Sequence, residues 1–497
     1  MMKYNPEWSK LHGWEVFSRN MRGEYKQRTE EGYDIAQYEN LFGEIARLTP
    51  SDESMAMADA LADLADKAPL DPNYEYVEPS DLDGIFAARD GKAPAKVDVD
   101  PAAVRDKIRG AWYGRLAGCL LGKPVEGIRT EELIPVLKRT NNYPMNRYIT
   151  RAELTDEVCE GIRFGLRNRD CYPDLIPNAP VDDDTNYTVL YMKLVERYGK
   201  NFTPRNVADW WLAMQPKNAY CTAERVAFVN FAAGIYPPAS AVYRNPFREW
   251  IGAQIRADFF GYCCPGNPEQ AAELAWRDAC VSHIKNGIYG EMWVAAMLAY
   301  AATVSGIEHI PAVIRAGLSQ IPQKSRLYAR VSGLLEGWEA GKDEDWAFSY
   351  ITARWDEHSS HDWCHTISNA EIVTACLLWC SDSYTHAICR AVMCGFDTDC
   401  NGATVGSIYG MLCGYDVPGD DEIKKAHYAR IQELAASFKE KNGTIICRDL
   451  LDGIETDSLP TPTPRTEAYY QERPCVRFVE DATAIVEAYL FPEEENA

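Results

Sequence analysis

The sequence predicts an all-α fold, a compact multi-helix domain with helical extensions at both ends, on three observations. From about Pro101 onward, segments with helical apolar periodicity follow one another, alternating apolar–polar runs are scarce, and two stretches carry glycine at every fourth position. Residues 1–100 are charged and broken by proline; MAMADALADLADKA reads as an amphipathic helix and PLDPNYEYVEPSDLDG as a connector. Residues 101–416 hold the long helical patterns VRDKIRGAWYGRLAGCLLGK, NYTVLYMKLVERYG, EMWVAAMLAYAATVSG, NAEIVTACLLWC and THAICRAVMCG. Residues 417–497 form a last section, with IKKAHYARIQELAASFKEK and ATAIVEAYLF joined by the proline-rich SLPTPTPRT, an extended linker or surface loop.

The bulk chemistry removes several function classes. A net charge of -23 repels nucleic acid phosphate and anionic membrane, so neither is expected as a partner. No apolar run reaches the roughly 18 residues of a membrane span. The start, MMKYNPEWSKLHGWEVFSRN, lacks the features of a secretory signal. Sixteen cysteines scattered through apolar runs such as ACLLWC read as buried thiols, and the expected location is the cytoplasm.

The glycine stripes need a reason, because glycine costs about 1 kcal/mol per helix position relative to alanine. Gly110, Gly114, Gly118 and Gly122 share one helical face, as do Gly402, Gly406, Gly410 and Gly414. Close approach of another backbone is the favoured reading, with loop-forming glycine as the alternative.

The second stripe lies in VMCGFDTDCNGATVGSIYGMLCG, whose only charged residues are Asp397 and Asp399. Buried carboxylates must pair, protonate or coordinate. Asp182, Asp183 and Asp184, at the start of DDDTNYTVLYMKLVE, and Glu126, just past the first stripe, are the acids expected to join them. Pooled carboxylates imply a hard cation, Mg²⁺, Mn²⁺ or Ca²⁺. Taken singly, DDDT and DTD are equally helix caps and Glu126 a solvated acid.

In this order, KIRGAWYGRLAGCLLGKPVEG, DDDT and GFDTDCNGATVGSIYG resemble the ADP-ribosylglycohydrolase family, the dinitrogenase-reductase-activating glycohydrolase type, over about residues 107–414. The resemblance implies an all-helical domain with two Mg²⁺ ions that hold the ribose hydroxyls of an ADP-ribosyl group, with cleavage at the anomeric carbon. Carried over by position, Asp182, Asp183, Asp184, Asp397, Asp399 and Cys400 occupy the metal-binding positions. Glu126, Asp183 and Asp399 take the catalytic roles, Glu126 matching an acid that acts near the scissile bond. Three residues depart from the family pattern: Asp182 and Cys400 replace threonines, and Cys119 replaces an aspartate. Sulfur is a poor magnesium ligand, so the departures imply one weakly held metal, a preference for Mn²⁺, or a shifted substrate.

Further candidates are Asn286, Gly287 and Tyr289 in SHIKNGIYGE, which suit substrate contacts or a plain helix-entry turn. His365 in HDWCHTISN suits a substrate contact or a cap, and Trp210 in DWWLAMQP suits base stacking or core. In the tail, Cys447 and Cys475 match a fainter similarity to a small putative redox family named for its C-G-C-A-x-x-G motif; that motif is absent, and packing cysteines in a helical cap are the favoured reading. The leading expectation is a Mg-dependent glycosidase acting on a small-molecule or protein-linked ADP-ribosyl or other ribosyl substrate. A non-catalytic binding or structural member of the fold, or a hydrolase of a nucleoside-like glycoside, stands as the alternative.

Overall fold

Glycine spacing and capping residues account for the elements that position the site. The computed structural model describes residues 7–415, 421–451, 466 and 473–490. It is helical throughout; among the described residues extended backbone pairs only at the isolated bridges Tyr33–Leu70 and Trp250–His365. The chain divides into two units, Met1–Val417 and Pro418–Ala497.

In the first unit the helices that matter here are α1 (Met21–Glu30), α2 (Glu39–Arg47), α3 (Asp52–Ala65), α4 (Pro101–Gly122), α5 (Asp183–Tyr198), α6 (Lys285–Ala301), α7 (Arg326–Glu339), α8 (Thr366–Trp379) and α9 (Thr398–Cys413). Helix α4 begins with Asp100 accepting from the Ala102 amide and Pro101 in the first turn, a start that needs no amide donor from proline. Helix α9 ends at Gly414, whose φ of 74° favours glycine.

These two helices are the axis of the unit. A Cβ on Gly110 would lie 2.2 Å from the Gly414 carbonyl oxygen, one on Gly114 2.1 Å from that of Gly406, and one on Gly118 1.9 Å from that of Gly402. Numbers rise along α4 as they fall along α9, so the pair is antiparallel and packed backbone to backbone. At the far end the Gly122 position meets the Asp399 amide at 2.4 Å. Lys107 seals the other end, its ammonium donating to the carbonyls of Ala301 (3.3 Å) and Met411 (3.1 Å) near the C-termini of α6 and α9.

Every residue of α9 from Thr398 to Leu412 and of α8 from Thr366 to Leu378 is buried, and α6 is buried from Asn286 to Ala299. Helices apolar all round belong inside a large core. The N-terminal helices α1–α3 have a smaller core of their own, built on Val16, Phe17, Met21, Ile35, Phe42, Met55 and Leu61.

In the second unit α10 (Asp421–Asn442) and α11 (Cys475–Leu490) pack Phe438 edge-on to Phe478 at 6.3 Å, with an ion pair from Lys441 to Asp481 at 2.8 Å. Cys447 and Cys475 are exposed thiols rather than packed ones. Most of SLPTPTPRT lies outside the described residues. No described helix is long and apolar enough to cross a membrane, and no described cysteine forms a disulfide.

Candidate active site

The glycine ladder delivers acids from distant parts of the chain to one place. Where α4 ends, the turn Lys123–Val125 leads directly to Glu126; where α9 begins, Asp397 is the N-cap residue and Asp399 lies in the first turn. The Thr398 hydroxyl donates to the Gly122 carbonyl at 2.9 Å and ties the two ends together. A third set arrives on the first turn of α5. Arg115, buried inside α4, donates from Nη2 to Asp184 Oδ1 (2.9 Å) and to the Ile255 carbonyl (2.6 Å), and from Nη1 to Asp258 Oδ1 (3.1 Å).

Glu126, Asp183, Asp397, Asp399 and Cys400 line a single cavity of about 440 Å³. Asp184 lies fully buried beside it, and Asp182 is 4% exposed. Asp182 is spoken for: one oxygen accepts from the Asp184 amide at 2.8 Å, capping α5, and the other takes the Lys123 ammonium. DDDT is therefore both a helix cap and part of an acid cluster.

The cluster is short of positive charge. Its six acids face Arg115, Lys123 and, at 3.9 Å from Glu126, Arg169, and Arg115 is shared with Asp258. Burial first and neighbouring carboxylates second push Asp183 up to about 8 and Asp399 well above the usual carboxylate range. Burial likewise raises Asp184, against the pull of Arg115, and Asp397. The Glu126 side chain stays 40% exposed yet sits down in the cavity, where burial and then the Asp397 charge push it to about 7. Asp184 Oδ2 and Asp399 Oδ1 are buried with no hydrogen-bond partner among the described residues. Asp184, Asp399 and Cys400 each offer a ligand atom within 4.8 Å of the others, as do Cys119, Asp182 and Asp184.

Orphaned oxygens in an oxygen-rich, charge-starved pocket fit a hard divalent cation. Cys119 and Cys400 fit it less well. Burial, then the surrounding carboxylates, hold both thiols well above their ordinary pKa, so in the metal-free chain they are neutral.

The other sequence candidates sit elsewhere, and Asn286, Gly287, Tyr289 and His365 do not line this cavity. Asn286 donates to Glu249 (2.9 Å) and Glu78 (2.8 Å) and accepts from the Leu327 amide (3.0 Å), so its polar atoms are taken within the chain. A Cβ on Gly287 would meet the Arg248 carbonyl oxygen at 2.6 Å. The Tyr289 hydroxyl donates to the Pro79 carbonyl. His365 caps α8, its Nδ1 accepting from the Ile367 amide at 3.1 Å. These residues clasp the N-terminal segment onto the helical core. Trp210 donates from Nε1 to the Leu190 carbonyl at 3.1 Å and packs against the core.

Several positions at the acid cluster and its cavity carried little sequence signal. Arg115 and Lys123 lie inside the first motif, as its only cations between the glycines and Glu126, and that placement was the available clue. Cys364, which donates to Asp397 Oδ2 at 3.1 Å, and the lining residues His361 and Trp363 come from HDWCH. Trp14, Arg19, Asn20 and Arg22 also line the cavity, from a segment far away in sequence.

A family model described as ADP-ribosylglycohydrolase matches residues 100–445. This chain belongs to the ADP-ribosylglycohydrolase family. The three motifs that carry the resemblance fall inside the matched residues, and the N-terminal segment that reaches the cavity falls outside them. Among solved structures, one described as an ADP-ribosylglycohydrolase-related protein complex is similar at 17% identity with a TM-score of 0.40, covering 63% of this chain and 89% of that chain. No curated protein matches. Membership of the ADP-ribosylglycohydrolase family supports a glycohydrolase of all-α fold.

Proposed function

We propose that this chain hydrolyses an N- or O-glycosidic bond to the ribose of an ADP-ribosyl or related ribosyl compound, with a divalent cation, Mg²⁺ or Mn²⁺. The observation that carries the reading is the cluster of Asp183, Asp184, Asp397 and Asp399, with two orphaned buried oxygens, next to Glu126 in one cavity. Those four aspartates would hold the metal; Asp182, committed to its cap and Lys123, balances charge, and Cys400 contributes a weak sulfur donor at most. When bound, the cation supplies Lewis-acid polarisation of ribose hydroxyls and of water.

The chain's own residues supply the rest. Water oxygen forms the new bond to the anomeric carbon as the bond to the aglycone breaks, and the aglycone leaves with a proton. Glu126, pushed to about 7, holds or accepts a proton near neutral pH and suits that transfer. Asp183 and Asp399 face the positive charge that develops at the anomeric carbon and lower its energy. The free thiols support a reducing compartment, the cytoplasm.

The test is incubation with ADP-ribosyl-arginine, ADP-ribosyl-serine, ADP-ribose polymer and simple ribosides, with Mg²⁺, Mn²⁺ or chelator, and product identification by mass spectrometry. Metal-dependent release of ADP-ribose or ribose is expected. Absence of turnover across the panel would overturn the reading in favour of a binding member of the fold.

A further inference from the structure

The residues matched by the family model contribute no lysine or arginine to the lining of the acidic cavity; Arg19 and Arg22, from the segment before the match, are the two that line it. Both are exposed, and neither guanidinium has an ion-pair or hydrogen-bond partner among the described residues. In a chain of net charge -23, beside a carboxylate cluster, an arginine left unpaired is unusual, because acids to pair with are plentiful.

The segment that carries them is a fixed wall. The Asn20 side chain donates to the carbonyls of Gly13 (2.8 Å) and Val16 (3.0 Å), closing the turn that presents Arg19. Glu15 takes Lys217 at 2.7 Å and Arg225 at 3.5 Å, and Arg248 bridges Glu24 and Glu31, each at 2.7 Å. These anchors are largely buried, so the backbone that carries the two arginines is held at the cavity without ligand.

We infer that Arg19 and Arg22 bind the phosphate groups of the substrate, so that the added N-terminal segment selects phosphate-bearing ribosyl compounds over uncharged ribosides. The inference rests on the proposed function for the identity of the sugar, but not for the anion site itself. Guanidinium forks match phosphate oxygens, and among the residues that line the cavity a phosphate reaching outward from a ribose held at the acid cluster finds arginine only at this wall. Arg22 also borders a second cavity, of about 820 Å³, so each arginine is tested singly as well as together.

The experiment is calorimetric titration of the full chain with inorganic pyrophosphate in chelator and with ADP-ribose in Mg²⁺, comparing the parent with Arg19→Ala, Arg22→Ala, the double variant and Arg19→Lys/Arg22→Lys. Loss of affinity for both probes by about ten- to a hundredfold in the double alanine variant is expected, with partial recovery by lysine and an unchanged melting temperature. Equal affinity of parent and double variant for both probes, or no pyrophosphate binding by the parent, overturns the inference. Pyrophosphate binding that depends on the arginines, without any ADP-ribose binding, supports the anion site and sinks the ADP-ribosyl reading instead.

Discussion

Glu249 and Asp399 are both buried carboxylates of this chain, and their surroundings differ in sign. Glu249 accepts from Arg326 at 2.7 and 2.8 Å, from the Asn286 side chain at 2.9 Å and from Gln27 at 2.7 Å; although burial opposes it, Arg326, then His365 and Lys285, hold it at about 2. Around it, Glu30 is held well below the usual range against burial by His361, His365 and Arg326. Asp399 has a buried oxygen with no partner among the described residues and is raised by burial, Glu126, Asp182 and Asp397. One cluster is neutralised by the protein and clasps the N-terminal segment in place. The other is left short of cations, as suits a site whose positive charge arrives with a ligand.

The tautomers sharpen the contrast. Glu30, His361 and His365 bring ligand atoms within 4.8 Å of one another and resemble a metal site on composition alone. Yet His361 Nδ1 accepts from the Trp250 indole (3.3 Å) and His365 Nδ1 from the Ile367 amide (3.1 Å). Both Nε2 atoms therefore carry the proton: that of His361 donates to Glu30 at 3.2 Å, while that of His365 lies 3.3 Å from the same carboxylate without a hydrogen bond, and neither ring keeps a lone pair for an ion.

The largest effect expected from this difference is on turnover. Asp399→Asn should lower turnover on the order of a thousandfold, while in chelator the variant is at least as stable as the parent because a like charge is gone. Product release by mass spectrometry and thermal melting followed by circular dichroism check both halves. Glu249→Ala should do the reverse kind of damage, costing about 3 kcal/mol in urea unfolding by removing one of the two close carboxylates that neutralise the buried Arg326, Glu78 being the other.

A smaller effect separates the clusters by pH. Glu126 and Asp183 have folded pKa values of about 7 and 8, above their ordinary 4.5 and 3.8, so their contribution is full below pH ~4 and is lost as pH rises through ~7–8. His365 and Glu249 are depressed to about 4 and 2; their contribution is full above pH ~6.5 and is lost as pH falls toward 2. In chelator, melting temperature should therefore fall from about pH 5 to 8, and Mg²⁺ at about a hundred times its Kd should shrink that fall by adding about 2–3 kcal/mol near pH 8. A decline that Mg²⁺ leaves unchanged would break the comparison. Smallest of all, Cys400→Thr restores a hydroxyl oxygen and should tighten Mg²⁺ binding severalfold, measured by calorimetry.

The residue types of the acid cluster were legible in the chain because isolated carboxylates in an apolar, glycine-striped stretch have few cheap explanations. Asp183, Asp397 and Asp399 share the cavity with Glu126 for the reason the stripes suggested: only glycine lets α4 and α9 approach until the Gly122 position meets the Asp399 amide. Asn286, Tyr289 and His365 lie away from this cavity, which the sequence could not tell because polar side chains at a helix start look alike whether they face a ligand or another segment. Their partners, Glu249, Glu78, Pro79 and Glu30, lie 37 to 335 residues away, or are reached only by folding.

The sequence by itself determined the helical class, the family and the acids available for the site, since periodicity, glycine spacing and charge are local properties of the chain. Tertiary structure alone decided which carboxylates were neutralised, which histidine nitrogens were free, and that Arg19 and Arg22 stand at the cavity. Those depend on distances between residues far apart in the chain, and the Coulomb energies that divide a clasp from a binding site are functions of distance and burial.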